Sequence, residues 1–155
     1  MLSITLTHDI VDQMTRALAS AGVRECGGVL MAEHVGYNHF AVRRITVQRT
    51  GSIASFIREL RDALAGLTRF FNSTGNDYTR FNYLGEWHSH PLFQAEPSST
   101  DHDSMRRIVC DPHVGANFAV LLVVKLDDAG KLVGSAHTYL SDGQIHRSNL
   151  IMEKQ

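Results

Sequence analysis

The run NFAVLLVVKL, Asn117 to Leu126, is apolar at consecutive positions and not at alternate ones. A strand of that kind has to be covered on both of its faces. The fold must therefore place a sheet between two layers, and the other segments have to supply them. Leu132 to Leu140 is the antiparallel partner of this strand across the turn Asp127 to Gly130.

Upstream, Ile4 to Thr7 reads as a short strand. His8 to Ala21 then places Ile10, Val11, Met14 and Leu18 on one helical face, and Gly22 stops the helix. Two β-rich segments, about Gly28 to Glu33 and Phe40 to Thr50, flank the turn-prone Gly36-Tyr37-Asn38 as a hairpin. Phe56, Ile57, Leu60, Leu64, Leu67, Phe70 and Phe71 fall three or four apart, which predicts an amphipathic helix ended by the polar stretch Asn72 to Asp77. A strand from Phe81 to His90 is broken by Pro91, the loop Pro91 to Pro97 follows, and a helix runs from Ser99 to Cys110. The resulting order, β-α-β-β-α-β-α-β-β, mixes hairpins with helices. It predicts an α+β class, with a mixed sheet flanked by helices in an α/β sandwich, and it argues against a doubly wound parallel sheet.

The chemistry is concentrated in EWHSHPLFQAEPSSTD. His88 and His90 are two residues apart on a strand, so both imidazoles point to the same side. Two converging imidazoles suit zinc, and a catalytic zinc site needs a third protein ligand and a position left for water. Asp101, where a loop turns into a helix, has enough chain behind it to fold back onto the strand end. Hydrolysis of an amide also needs a base to accept a proton and return it to the leaving amine, a task for a carboxylate that does not itself bind the ion.

Glu25 followed by Gly27, Gly28, Val29 and Leu30, then His88-Ser89-His90, seven residues, Ser98, two residues and Asp101, resembles the JAMM signature of the JAB/MPN metallopeptidases. The resemblance implies one zinc ion per chain held by His88, His90 and Asp101, with Glu25 as general acid and base. It also implies that Ser98 hydrogen-bonds the developing oxyanion, where a donor counts most because the charge appears only in the transition state. The implied fold is the JAB/MPN, cytidine-deaminase-like one, formed as a single domain over residues 1–155.

The same residues have plainer readings. H-x-H arises easily among nine histidines, and Ser98-x-x-Asp101 alone is a helix capping box. Glu25 alone is an ordinary surface carboxylate. Requiring the whole pattern at fixed offsets favours the metal site. Glu86 shares strand parity with His88 and His90, so it either orients a ligand or contacts substrate, unless it simply faces solvent at the sheet edge. Trp87 faces the core, His102 reads as a solvated helix residue, and Cys26 reads as a small buried thiol. Gly27-Gly28 permits close backbone packing beside the site or forms a bulge.

Lysine plus arginine, 15, nearly balances aspartate plus glutamate, 16, without a long run of either sign, so nucleic acid and membrane surfaces are not expected as partners. Two cysteines make no disulfide framework, and the start of the chain has no leader-like pattern. The expected location is cytoplasmic. The resemblance implies a substrate in which the C-terminal glycine of a ubiquitin-like protein is joined to an amine, as in bacterial anti-phage conjugation systems, with Ser52 to Asp77 and Asp111 to Ala116 flanking the groove. An extended tail could add as a strand to an open sheet edge. The alternatives are a peptidase of cell-wall or phage-tail peptides, which shares the chemistry, and an inactive scaffold that binds partners.

Overall fold

The computed structural model of the chain describes residues 1–48, 60–112 and 114–154. Phe56, Ile57 and Thr50 lie outside those residues, as do the first positions of the segment from Ser52. The elements are β1 (Ser3–Leu6), α1 (His8–Ala21), β2 (Gly27–Gly36), β3 (His39–Ile45), α2 (Leu60–Ser73), β4 (Phe81–Ser89), α3 (Ser99–Cys110), β5 (Phe118–Leu126), β6 (Leu132–Leu140) and β7 (Ile145–Met152).

The strands form one mixed sheet in the order β1-β3-β2-β4-β5-β6-β7 that closes on itself. β1 runs parallel to β3 and β7, β4 runs parallel to β5, and the remaining pairs are antiparallel. β5 has the double cover its composition demands, with Ala119 to Val124 each 0% exposed. Val120, Leu122 and Val124 meet Ile10, Met14 and Leu18 of α1 on one face. Ala119, Leu121 and Val123 meet Met105, Ile108 and Val109 of α3 on the other. α2 sets Phe70 against Val29 and Met31 of β2. This is an α+β arrangement with helices on both faces.

Four details differ from the sequence reading. β7 was not anticipated. β3 ends at Ile45, after which the Thr46 N–H donates to the Val29 carbonyl of β2 at 3.1 Å and Gln48 bridges to Gly27. β4 is paired along both sides, by β2 and β5, so an extended substrate cannot join the strand that carries the histidines. Val114 to Ala116 line a cleft with Tyr78 and Arg80 at the first end of β4, opposite His88, and so do not flank the site.

A bulge in β4 changes which of its side chains share a face. Leu30 pairs with Gly85 and Met31 with Tyr83, leaving Leu84 as an extra residue. Gly85 has φ 154°, and a side chain there would strike the Val120 carbonyl. The bulge reverses the strand's alternation, so Tyr83 lies on the same side as Glu86.

Away from the site, Glu33 accepts from Arg80 Nε and Arg43 Nε, each at 2.7 Å. The Arg80 guanidinium, with that of Arg43, holds the Glu33 carboxyl below the usual carboxylate range against the opposing effect of desolvation. Both arginines are about half exposed, so solvent screening limits the pair to roughly 1 kcal/mol. Because the folded pKa is depressed, that stability is complete above the unfolded carboxyl's value of about 4.3 and is lost as pH falls through the folded value. Denaturation curves of the wild type and Glu33→Gln should therefore differ at pH 7 and converge only as pH falls through the depressed folded value of Glu33.

Candidate metal centre

The site lies where β4 ends and α3 begins. His88 and His90 leave the strand on one side, and the loop from Pro91 to Pro97 returns the chain so that Asp101, in the first turn of α3, faces them. His88 Nε2 lies 2.9 Å from His90 Nε2, and Asp101 Oδ2 lies 3.4 Å and 3.5 Å from those two atoms. All three residues are buried. Ligands about 2.0–2.1 Å from a tetrahedral zinc stand roughly 3.3–3.4 Å apart, so two edges of the observed triangle match and the third is short by a few tenths of an ångström.

The imidazole protonation states support the same interpretation. His90 Nδ1 faces the Gln94 carbonyl at 3.2 Å. A carbonyl only accepts, so this bond puts the proton on Nδ1 and leaves a lone pair on Nε2, aimed at His88 and Asp101. A lone pair, a second imidazole nitrogen and a carboxylate oxygen converging in a buried space form a donor set for a cation. The residues fit a metal ion.

The capping box includes Asp101, the candidate ligand. Ser98 Oγ accepts from the Asp101 backbone N–H at 3.2 Å, while the Ser98 N–H donates to Asp101 Oδ2 at 2.7 Å. Burial alone would raise the Asp101 carboxyl, but His88 and the Ser98 N–H outweigh it and hold the pKa at about 2. Ser98 Oγ keeps its own proton to donate.

Glu25 is exposed, in the connection between α1 and β2. The chain beside it is fixed to the strand end: Ser89 N–H donates to the Cys26 carbonyl at 2.8 Å, and Cys26 N–H donates to Ser89 Oγ at 2.9 Å. The middle residue of His-Ser-His thus fastens the neighbour of Glu25 between the two histidines. Cys26 is a buried thiol, as expected. Gly27 is needed for close approach, since a Cβ there would lie 2.9 Å from His88 Cβ.

Glu86 is 4% exposed. Tyr83 OH donates to its Oε1 at 2.8 Å, and among the described residues Oε2 has no protein partner. Burial pushes the Glu86 carboxyl up to about 8 although the Tyr83 bond acts against it. Trp87 is core, 1% exposed, with its indole N–H on the Thr46 carbonyl at 2.9 Å.

His102 departs from expectation. It is half-buried and its Nδ1 lies 2.8 Å from the Tyr139 hydroxyl, a contact with a strand 37 residues away that helix position alone does not reveal. The loop anchors were also missed. Ser135 Oγ donates to the Ala95 carbonyl at 2.6 Å, Lys125 Nζ to the Phe93 carbonyl at 3.1 Å, and Arg147 pairs with Glu96 at 2.8 Å. They tie the loop that delivers Asp101 to β5, β6 and β7, and no spacing rule links them to it.

Three comparisons bear on this site. The family model described as prokaryotic homologs of the JAB domain matches residues 7–136. The CD-NTase/cGAS isopeptidase of Enterobacter hormaechei subsp. hoffmannii is 28% identical over 144 residues, covering 88% of this chain and 74% of the relative. The CD-NTase/cGAS isopeptidase of Vibrio cholerae serotype O1 is 36% identical over 88 residues, 56% of this chain and 56% of the relative. In fold alone, the solution structure of a protein from Desulfitobacterium hafniense is similar, with TM-score 0.67 at 21% identity over 98% of this chain and 94% of that one.

Proposed function

Because the chain belongs to the family of prokaryotic JAB-domain homologues, we propose that it is a zinc-dependent isopeptidase hydrolysing the amide bond after the C-terminal glycine of a protein conjugate. The observation that carries this reading is the convergence of His88 Nε2, His90 Nε2 and Asp101 Oδ2 in a buried space. Its chemistry, two imidazoles and one carboxylate, suits zinc. When bound there, zinc acidifies water and polarises the amide carbonyl.

The other steps belong to side chains of this chain. Glu25 takes a proton from the attacking water and delivers it to the departing nitrogen, so that the C–N bond breaks into a carboxylate and an amine. Ser98, whose oxygen already accepts from the Asp101 N–H, donates its own proton in a hydrogen bond to the carbonyl oxygen as negative charge builds. Asp101, with its carboxyl held at about 2, stays ionised through the physiological range.

The names of the two relatives direct the choice of conjugate toward a CD-NTase joined to a lysine, or to a ubiquitin-like protein in the same role. The substrate tail then lies across the exposed Leu92 and Phe93, which follow His90 and Pro91, because β4 offers no open edge. A purified CD-NTase–lysine conjugate and a peptidoglycan stem peptide, each incubated with the protein, test this. Release of the CD-NTase with a free C-terminal carboxylate, abolished by a chelator and restored by zinc, is the expected result. Cleavage of the stem peptide alone selects the cell-wall reading, and bound zinc with neither substrate cleaved selects a scaffold.

A further inference from the structure

The two histidines are not equally supported. His90 has its outer nitrogen on the Gln94 carbonyl, which fixes its tautomer and ring plane. His88 presents Nε2 to the centre, and its Nδ1 is buried without a protein partner among the described residues. An imidazole that ligates through Nε2 carries its proton on Nδ1, and leaving a buried donor unsatisfied costs roughly 1–3 kcal/mol.

A second buried polar atom without a described protein partner belongs to the same strand face. Glu86 precedes His88 by two residues, so period-two geometry puts both side chains on one side of β4. The other oxygen of Glu86 is held by Tyr83, which reaches it only because the bulge at Leu84 and Gly85 turns Tyr83 onto that face. Burying a carboxyl with half its hydrogen-bonding capacity unused is costly, and Tyr83 alone does not offset it. Side chains two positions apart on a strand stand roughly 7 Å apart at their roots, a separation that one water can bridge between a carboxyl and an imidazole.

We propose that Glu86 is a positioning residue for the metal centre: braced by Tyr83, its carboxyl holds the Nδ1 side of His88 through one bridging water, so that Nε2 stays aimed at the ion. Glu86 is itself buried on that face. The inference rests on the assignment of His88, His90 and Asp101 as metal ligands.

Zinc affinity, read by competition with a chromogenic chelator, tests this together with the nitrogen-15 spectrum of the His88 ring in the zinc-loaded protein. Glu86→Leu should bind zinc about 10–100-fold more weakly and lose the slowly exchanging Nδ1 proton of His88. Glu86→Gln, which keeps an oxygen of the same reach, should stay within about 3-fold of wild type and retain that proton. Tyr83→Phe, an isosteric change that tests the brace without altering the carboxyl, should fall between them. Wild-type affinity and an unchanged His88 signal in both Glu86→Leu and Tyr83→Phe overturn the proposal while the metal site stands. A wild-type protein that binds no zinc overturns the metal reading and this inference together.

Discussion

Glu25→Gln should bind one zinc per chain as the wild type does and hydrolyse the conjugate about 10²–10⁴-fold more slowly, the range typical of a lost general acid–base. The separation of the two effects follows from position. Glu25 is exposed in the α1–β2 connection, whereas His88, His90 and Asp101 are buried at the end of β4 and the start of α3. Glutamine keeps the shape of the side chain and removes its ability to carry a proton. Inductively coupled plasma analysis of metal, set beside single-turnover rates, distinguishes this from a folding defect. If the variant keeps wild-type turnover, Glu25 leaves the mechanism.

Asp101→Ala should lose metal and turnover together. It removes one of the three proposed ligands, so zinc affinity should fall by more than the 10–100-fold that an outer partner supplies. It also removes half of the capping box, at a further cost of about 1 kcal/mol to the start of α3. Asp101→Asn separates these contributions. The amide oxygen can still accept from the Ser98 N–H, but it has no charge to offer the ion. Thermal unfolding of the metal-free Asp101→Asn protein should thus stay near wild type while its zinc affinity drops with that of Asp101→Ala. Equal zinc affinity in wild type and Asp101→Asn is the contrary result.

The legible parts of the sequence were those whose signal is local. The uninterrupted apolar run of β5 states its own double burial, and His88-Ser89-His90 states its shared face because strand parity needs only neighbouring positions. Ser98-x-x-Asp101 marked a cap, which the structure shows as one pair of hydrogen bonds, and it sets Asp101 beside His88 and His90. β7 was missed because Ile145–Met152 has one buried residue, Ser148, and is held chiefly by pairing with β1 and β6. Its charged and polar positions do not alternate as a core strand does.

The face shared by Tyr83 and Glu86 was hidden for a different reason. Simple alternation puts residues 83 and 86 on opposite sides, and the bulge that reverses it depends on how closely β5 approaches Gly85. His102 and Tyr139, Ser135 and the Ala95 carbonyl, and Arg147 and Glu96 are contacts between segments far apart in the chain. Periodicity carries no information about such contacts. They decide how firmly the loop from Pro91 to Pro97 presents Asp101.

X-ray absorption at the zinc edge, on protein loaded with one zinc per chain, tests the central claim most directly. The spectrum should show nitrogen and oxygen neighbours at about 2.0–2.1 Å, with outer scattering from two imidazole rings and no sulfur at about 2.3 Å. A sulfur neighbour, which brings in Cys26 or Cys110, or the absence of imidazole scattering, would contradict a centre built from His88, His90 and Asp101.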